Sequence, residues 1–373
     1  MEIAYKNKKK YEDILNNSKS YSLNKEWKED VNKLILGENL TTLKTLLVNY
    51  NLKSKFDLIY IDPPFSTNTT FRISDDRAST ISMASDAEEA YKDNLSGSDF
   101  LEFLRERLII AKELLSDKGS IYLHIDYKIG HYVKIIMDEV FGMDNFRNDI
   151  TRVKCNPKNF ERKAYGNIKD MILFYTKTNN HIWNKPSVKY SVEDIVKLFP
   201  KTDEKGRKYT TVPLHAPGET KSGKTSMKFK GISPPKGRHW RCSPEELDIL
   251  DKNGLIEWSC NNVPRKKVYA DEKDGKKMQD IWEFKDPQYP DYPTQKNIDL
   301  LKSIMMASSN KDSYILDFFC GSGTTLIAAE ELGRRWVGID QSKNAVKIAK
   351  KRLESNKDLY SMPFDYIEMT TEA

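Results

Sequence analysis

The feature that most constrains the fold of this chain is a pair of short apolar runs, each ending at an aspartate. Residues 56–61 (FDLIYI) lead into Asp62, and residues 313–316 (SYIL) lead into Asp317. Apolar runs of this length, bounded by turn residues, are typical of strands buried inside a parallel sheet. In such sheets ligands bind at the loops that follow the carboxyl ends of the strands. We therefore expect both aspartates to open loops of a binding site.

The second loop, residues 317–325 (DFFCGSGTT), has the pattern of a strand, a glycine turn and a helix. Gly321 and Gly323 allow a tight turn and the close approach of a ligand to the backbone. The next strand ends at Asp340, about 20 residues on, a spacing that places a carboxylate over a ribose in dinucleotide folds. A nicotinamide fingerprint needs a third small residue where Leu326 stands, which disfavours a dehydrogenase.

Together the two motifs resemble those of the amino-group DNA methyltransferases, which methylate adenine N6 or cytosine N4 with S-adenosylmethionine. The target-amine motif comes first here, as in the permuted beta class that includes the modification subunits of type III restriction systems. The resemblance covers roughly residues 31–355. It implies S-adenosylmethionine as the cofactor, double-stranded DNA as the partner and a restriction–modification setting.

The residue types at 62–65 suit the chemistry of this family. The Asp62 carboxylate and the Pro63 carbonyl can accept the two N–H groups of an exocyclic amine and so expose its lone pair. Pro63 and Pro64 fix φ and remove donors, while Phe65 offers an apolar face to a flipped base. The family more often has Tyr where Phe65 stands, so stacking is kept without the hydroxyl. No metal is needed, and in isolation the same residues are typical of a strand ending in a turn.

Further segments match the family along most of the chain. Residues 35–40 resemble the segment near the cofactor adenine, and residues 120–126 resemble the next core strand. Residues 292–296 (YPTQK) resemble the family's His-Pro-Thr-Gln-Lys segment at the methionine end of the cofactor, with Tyr292 in place of His. The resemblance thus implies the following cofactor-binding residues: Gly37, Glu38, Asn39, Thr294, Lys296, Asp317, Phe318, Phe319, Gly321, Gly323, Thr324, Asp340 and Gln341.

Positive charge is concentrated between the two motifs. Residues 201–241 contain eleven Lys or Arg against three acidic residues, a balance of +8, whereas the whole chain carries +6. A charged run is most often a solvated face, but this family has its target-recognition region at this place in the chain. We therefore expect phosphate contacts from its cations and base contacts near 239–241. The predicted DNA-binding residues are Lys221, Lys224, Lys228, Lys230, Arg238, His239, Trp240 and Arg241.

Two other segments are polar and lack a clear period. Residues 66–98 leave the target-amine motif directly, and a loop of this length inside a compact domain is usually a lid or disordered. We favour a lid that closes over the extruded base and the cofactor. A core helix begins near Asp99. Residues 1–30, with three consecutive lysines at 8–10, are expected to form a flexible or helical arm, a solvated tail rather than a DNA contact.

Composition agrees with a cytoplasmic DNA enzyme. A chain of 373 residues is long enough for an α/β core and a second module. The four cysteines show no Cys-x-x-Cys spacing and no signal peptide precedes them, which favours free thiols in a reducing compartment. No apolar run approaches 18 residues, so no transmembrane span is expected.

The predicted fold is a doubly wound, mostly parallel, Rossmann-like α/β methyltransferase sheet in permuted order with an inserted recognition region. The predicted parts are an arm (1–30), a target-amine half (31–150), a recognition region (151–285) and a cofactor half with a C-terminal tail (286–373). Adenine N6 is the preferred target, because cytosine-N4 members more often have Ser where Asp62 stands. Cytosine N4 stays open, as does a non-catalytic DNA-binding specificity subunit, although the intact Asp62 and glycines disfavour the latter. The resemblance also leaves open a homodimer and a separate restriction subunit.

Overall fold

The computed structural model describes residues 3–16, 23, 26–64, 70–74, 77–79, 88–92, 97–157, 163–220, 222–286, 296–356 and 362–369. The chain divides into two compact units. Unit 1 comprises Met1–Pro186 together with Gln279–Ala373, and unit 2 comprises Ser187–Met278. Phe65, most of the predicted lid, Lys221 and Thr294 lie outside the described residues.

The elements before unit 2, in chain order, are α1 (Tyr11–Asn16), β1 (Asn32–Leu36), α2 (Asn39–Val48), β2 (Phe56–Ile61), β3 (Thr70–Ser74), β4 (Arg77–Ser79), β5 (Glu88–Lys92), α3 (Ser98–Leu114), β6 (Leu115–Ile125), α4 (Tyr127–Phe141), β7 (Phe146–Val153) and β8 (Lys169–Thr176). Unit 2 contains β9 (Ser187–Val188), α5 (Val192–Leu198), β10 (Lys201–Thr202), β11 (Lys208–Pro213), β12 (His215–Pro217), β13 (Arg238–Trp240), α6 (Pro244–Lys252), β14 (Ile256–Trp258), β15 (Pro264–Tyr269) and β16 (Lys276–Lys277). Unit 1 then resumes with β17 (Ile281–Trp282), α7 (Ile298–Ser308), β18 (Tyr314–Asp317), α8 (Thr324–Glu331), β19 (Arg335–Asp340), α9 (Lys343–Ser355) and β20 (Phe364–Glu368).

Unit 1 is built on a main sheet, whose described strands follow the order β17-β7-β8-β6-β2-β18-β19-β1-β20, and also contains the small sheet β4-β3-β5. Every paired neighbour in it is parallel except where β8 meets β6 and β7. The mostly parallel, doubly wound sheet predicted from the sequence is confirmed, with β8 as the reversed strand. The central strands are apolar because both of their faces are covered.

Helices lie on both faces of this sheet. The first group, α2 to α4, packs its apolar side chains against inward residues of the central strands such as Ile59, Leu123 and Leu316. The helix predicted to begin near Asp99 is α3, and its Phe100, Leu104 and Leu108 are fully buried. On the other face α7 contacts α8, and α8 contacts α9.

The direction of winding reverses between β2 and β18. From β18 the chain passes through α8 to β19 on one side, and from β2 it passes through α3 to β6 on the other. Since β2 and β18 are parallel neighbours, their carboxyl ends meet at this reversal. Such a switch point opens the crevice in which α/β sheets bind ligands. Asp62 and Asp317 therefore share the binding edge, although they come from distant parts of the chain.

The compact second unit is narrower than the predicted recognition region. Strands β7, β8 and β17 lie inside the limits 151–285 wholly or in part, yet they belong to the main sheet of unit 1. The apolar run 171–175 in β8 explains this, because it is buried between β6 and β7. The predicted limits 151 and 285 therefore do not coincide with those of the separate compact unit, which spans Ser187–Met278.

The N-terminal segment is not a solvated tail over residues 3–16. Tyr5 donates a 2.5 Å hydrogen bond to Glu102 of α3, and Lys8 forms a 2.7 Å ion pair with Glu139 of α4. Lys9 pairs with Glu106 at 2.5 Å. At least two of the three consecutive lysines thus neutralise helix carboxylates rather than remaining available to a DNA backbone.

Unit 2 has its own small core. A four-stranded sheet of order β10-β11-β15-β14 and the pair β12–β13 are its main described strands. Helix α6 follows Cys242 and is capped by Ser243 through a reciprocal hydrogen-bonded capping box. The buried cluster consists of Leu214, Phe229, Trp240, Leu247 and Ile256.

Candidate active site

Asp62 is the first residue after β2, and its two carboxylate oxygens have different surroundings. Oδ2 lies 2.7 Å from the ammonium of Lys296, and both side chains are largely shielded from solvent. Oδ1 is buried and accepts no hydrogen bond from the residues that the structure describes. A buried acceptor without a donor is costly unless a ligand or water supplies one. The arrangement therefore presents one oxygen that is held and one that can receive an N–H group.

The predicted place of Lys296 at the methionine end of the cofactor stays a prediction. The structure adds a contact that the sequence did not indicate, because Nζ of Lys296 lies beside the target-amine aspartate. Pro63 is buried and Pro64 half-buried, which fixes the backbone next to this ion pair. No local pattern in the sequence indicates the pair, because the two residues are brought together only by the switch-point topology.

The glycine loop after β18 is held by hydrogen bonds to β19. The amide of Gly321 donates to Asp340 Oδ2 at 2.9 Å, and the amide of Cys320 donates to the carbonyl of Ile339 at 3.1 Å. The Oδ1 atom of Asp340 accepts from the amide of Ser342, also at 2.9 Å. The carboxylate predicted to contact a ribose thus organises the loop, while Gln341 beside it is exposed. Burial raises the pKa of Asp340.

Glycine is required at the two positions of the loop for different structural reasons. Gly321 has φ of +49°, and a Cβ there would meet no atom within 4 Å. That open space is a cradle in which a ligand can approach the backbone. Gly323 has φ of +81°, and its Cβ would lie 2.9 Å from the Cβ of Ala349 in α9. A side chain at Gly323 would therefore meet α9 rather than a ligand, because that direction is occupied by helix packing.

Arg352 of α9 holds the part of the loop formed by Ser322 and Thr324, a role that no pattern in the sequence indicates. Its guanidinium donates to the carbonyl and hydroxyl of Ser322, at 2.8 and 3.0 Å, and to the hydroxyl of Thr324 at 3.1 Å. The Thr324 hydroxyl, predicted to contact the cofactor, is thus engaged with Arg352 and buried. The loop is preorganised by contacts from two elements that follow it in the chain.

Asp317 is the most perturbed acid of the site. Burial raises the pKa of its carboxyl to about 7, and the negative charges of Asp62 and Asp340 add to this, against hydrogen bonds from Thr325 and the amide of Phe319. A buried carboxylate near other carboxylates favours a positively charged ligand, because the ligand offsets their mutual repulsion. S-adenosylmethionine is cationic at both its sulfonium and its amino group, so these residues fit it.

The aromatic residues that follow Asp317 are divided between core and edge. Phe318 is fully buried in the main cluster, so its backbone rather than its side chain is the part that can contact a cofactor. Its carbonyl accepts a 3.1 Å hydrogen bond from the side-chain amide of Asn39. Phe319 is only partly buried and lies tilted against Phe103, with ring centroids 6.1 Å apart. Phe319 is therefore the aromatic side chain of this pair that can reach a ligand.

The segment 37–39 joins the same edge from β1. The Gly37 amide donates to the carbonyl of Asp340 at 3.0 Å. Glu38 caps α2 by accepting from two of its amides, and it forms a 2.5 Å ion pair with Arg107 of α3. Burial opposes ionisation of Glu38, but the Arg107 guanidinium and the α2 amides lower the pKa of its carboxyl overall. The bond to Asp340 thus places this segment beside the end of β19, and its proximity to the cofactor adenine stays a prediction.

The predicted DNA-binding residues lie in unit 2 and differ in exposure. Those with exposed side chains are Lys224, Lys228, Lys230, Arg238 and Arg241. His239 is half-buried and hydrogen bonds through Nδ1 to the carbonyl of Gly218 at 2.7 Å. Trp240 is fully buried and donates from Nε1 to the carbonyl of Met227 at 3.1 Å. The prediction of base contacts by Trp240 is therefore wrong, since this indole is the centre of the unit's core.

The net positive charge of the chain is nevertheless concentrated in unit 2. It contains 20 Lys or Arg and 13 Asp or Glu, so its net charge of +7 exceeds the +6 of the whole chain. Part of the positive charge is neutralised within the unit, because Arg207 pairs with Asp271 and Glu272, and Lys230 pairs with Asp251.

Metal and membrane binding find no support in the described residues. Across the described part of the chain, no group of three or more His, Cys, Asp or Glu is arranged to hold a metal ion. No described helix is both long enough and apolar enough to span a membrane. The four cysteines are free thiols.

Comparison with known proteins gives consistent matches. Residues 56–351 match the family described as DNA methylase, the N6 and N4 methyltransferases. The chain is 42% identical over 327 residues to the type II methyltransferase M.EcaI of Enterobacter cloacae, covering 86% of this chain and 69% of that protein. It is 28% identical to the StyLTI Mod subunit, a type III restriction–modification enzyme of Salmonella typhimurium, covering 87% of this chain and 55% of that subunit.

Among solved structures, the chain resembles a putative DNA modification methylase from Thermus thermophilus complexed with S-adenosyl-L-methionine. The TM-score is 0.48 and the identity 14%, with 92% of this chain and 100% of that chain covered. The type III Mod subunits are longer than this chain, which spans 50% to 62% of their length.

Proposed function

Because the chain belongs to the DNA methylase family of N6 and N4 methyltransferases, we propose that it transfers a methyl group from S-adenosylmethionine to adenine N6 in double-stranded DNA after base flipping. The observation that carries this proposal is the Asp62 carboxylate. Its Oδ1 is a buried acceptor with no donor among the described residues, and it stands where β2 meets the glycine loop of β18.

Asp62 acts on the target amine by accepting a hydrogen bond from one N–H group. The carbonyl of Pro63 accepts the other, so that the nitrogen lone pair turns out of conjugation with the base. Lys296 holds Oδ2 at 2.7 Å and leaves Oδ1 for the substrate. A fixed acceptor of this kind acts by position and orientation, which is a major source of rate acceleration in group transfer.

The cofactor is held by the glycine loop and its neighbours. When bound, S-adenosylmethionine supplies an electrophilic methyl group on a sulfonium centre. Gly321 leaves its backbone open to the ligand, and Asp317 supplies negative charge close to the target-amine aspartate. The Gly37–Asn39 segment and Phe319 border the same edge. Arg352 and Asp340 keep the loop in one shape without needing to touch the ligand.

Double-stranded DNA is bound through the basic surface of unit 2. The net charge of +7 on this unit supports contacts to phosphates, which are independent of sequence. Base reading is assigned to side chains near Arg238 and Arg241, both exposed. The homodimer and the separate restriction subunit stay predictions from the family resemblance.

The choice of adenine over cytosine as the target base depends on one residue, Asp62. A carboxylate accepts an N–H from either amino group, so the physical chemistry of Asp62 serves both bases. Members that act on cytosine N4 more often have Ser at this position, and this chain has Asp62. The family resemblance therefore carries the choice of adenine N6.

The test is to replace Asp62 by Ala and to follow single-turnover transfer of labelled methyl to duplex DNA. Loss of one preorganised hydrogen-bonding group should slow the reaction by about 100-fold or more, while calorimetry should find cofactor affinity within a few-fold of wild type. Asp57→Ala is the matched control. Asp57 lies in β2, the strand that leads into Asp62, but its carboxylate accepts a 2.9 Å hydrogen bond from Ser116 and takes no part in the site. A transfer rate for Asp62→Ala within a few-fold of wild type overturns the proposal.

A further inference from the structure

A row of polar side chains crosses the main sheet beside Asp62, and the reaction outlined above does not use it. Tyr60 of β2 and His124 of β6 are joined by a 3.1 Å hydrogen bond through Nδ1. His124 Nε2 lies 3.2 Å from Asp170 of β8, which also lies 3.6 Å from Arg152 of β7. All four residues are at most 3% exposed. Buried polar groups cost stability compared with apolar ones, so a row of four demands an explanation beyond folding.

The charges of the row fix the direction of its hydrogen bonds. Burial opposes ionisation of Asp170, but its bonds to His124 and Lys154 outweigh this and hold the pKa of the carboxyl well below its usual value. Burial and the nearby Lys296 charge lower the pKa of His124, so the ring is neutral. Because Asp170 can only accept, Nε2 carries the proton and donates to it. Nδ1 therefore accepts, and the Tyr60 hydroxyl donates.

Both ends of the row lead to the ion pair of the active site. At one end Tyr60 lies in β2, two residues before Asp62, which directly follows the strand. At the other end Arg152 donates from Nε to the carbonyl of Phe284 at 2.7 Å and pairs with Asp286. The carbonyl of Lys285, next to Asp286, accepts a 2.9 Å hydrogen bond from the side-chain amide of Asn297, next to Lys296. The row thus links β2, which leads into Asp62, to the immediate neighbours of Lys296.

We infer that the buried row Tyr60–His124–Asp170–Arg152 is a positioning network for the target-amine site, which sets Asp62 relative to Lys296 so that Oδ1 meets the amine. The inference deepens the proposed function and rests on it. None of the four side chains needs to contact base or cofactor. Their loss should slow the methyl-transfer step and leave the affinity for S-adenosylmethionine unchanged.

The structure provides a matched pair of variants for the test. Tyr60→Phe removes the hydroxyl that bonds to His124. Tyr122→Phe removes a hydroxyl that is equally buried, on the residue paired with Tyr60 in the parallel register, but its 2.7 Å bond goes to Ser308 of α7, outside the row. Both changes delete one atom and one buried hydrogen bond, so their effects on the unfolding midpoint should be similar.

The expected result is a split between the two variants. Single-turnover transfer at saturating DNA and cofactor should fall about tenfold or more in Tyr60→Phe, in keeping with the sensitivity of such reactions to small misplacements, and stay within twofold of wild type in Tyr122→Phe. Equal rates in the two variants, or a loss in Tyr60→Phe that is confined to cofactor affinity, overturn the positioning network. If wild-type protein methylates no DNA, the proposed function fails and the network fails with it. If wild-type protein methylates DNA but the two variants react at equal rates, only the network fails.

Discussion

Gly323→Ala is predicted to destabilise the protein through helix packing rather than through the ligand. The residue has φ of +81°, which costs an L-residue roughly 1–2 kcal/mol. The new methyl would lie 2.9 Å from the Cβ of Ala349, and overpacking of this kind costs roughly 1–3 kcal/mol more. The sum is about 2–5 kcal/mol. Gly321→Ala carries only the backbone cost, because its Cβ would meet open space.

The clash can be separated from the backbone strain by a second substitution. Ala349→Gly removes the methyl that Gly323→Ala would meet, and alone it costs about 1 kcal/mol as a glycine in a helix. The double variant should recover the overpacking part, a coupling of roughly 1–3 kcal/mol in a double-mutant cycle. Equilibrium urea unfolding, with equal m-values across the set, measures each contribution. Strictly additive effects, or equal losses of stability at Gly321 and Gly323, would refute the packing explanation.

Three further predictions concern charge and burial. Affinity for S-adenosylmethionine should rise as the pH increases through about 7, because the Asp317 carboxylate forms there, whereas the affinity of Asp317→Asn should not change with pH in this range. The same raised pKa lets the folded state retain a proton that the unfolded chain releases near 3.8. The contribution of Asp317 to the free energy of unfolding therefore falls as the pH rises from about 4 to about 7. Trp240→Ala should cost about 3–5 kcal/mol in unfolding experiments on the full chain, and a surface-like effect below about 0.5 kcal/mol would contradict its place in the core. Neutralising Lys224 and Lys228 should lower the log–log salt slope of DNA binding by about one for each phosphate that these lysines bind. Lys230→Gln should lower the slope less, because the Lys230 ammonium is paired with Asp251. An unchanged slope after neutralising Lys224 and Lys228 would show that this surface is merely solvated.

Those parts of the fold that depend on local pattern could be predicted from the sequence. The apolar run 56–61 is β2, the run that ends at Asp317 is β18, and residues 335–340 form β19. These are central parallel strands, whose burial on both faces leaves a continuous apolar signal. The glycine turn before α8 was equally visible, because Gly323 begins that helix in the left-handed conformation.

The features that could not be predicted depend on partners far away in the chain. No local pattern shows that Lys296 meets Asp62, or that Arg352 holds the glycine loop. The burial of Trp240 was missed for a related reason. Its basic neighbours suggested a DNA surface, but apolar residues from separate segments, such as Leu214 and Phe229, enclose the indole.

The limits of unit 2 could not be predicted from the sequence, because β8 is the reversed strand of the sheet. It lies between segments that match familiar motifs and matches none itself, and only its pairing with β6 and β7 shows that it belongs to unit 1. A short apolar run of this kind is compatible with either unit until its neighbours are known.

The identity of the methylated base tests the proposed reaction most directly. Duplex DNA treated with wild-type protein and S-adenosylmethionine should be digested to nucleosides, and the product identified by mass, with Asp62→Ala protein as the blank. We predict N6-methyladenine from wild type and none from the variant. N4-methylcytosine alone would overturn the choice of adenine while leaving the role of Asp62 in place. Methylated nucleoside in equal amount from Asp62→Ala would contradict the central claim that this carboxylate acts on the target amine.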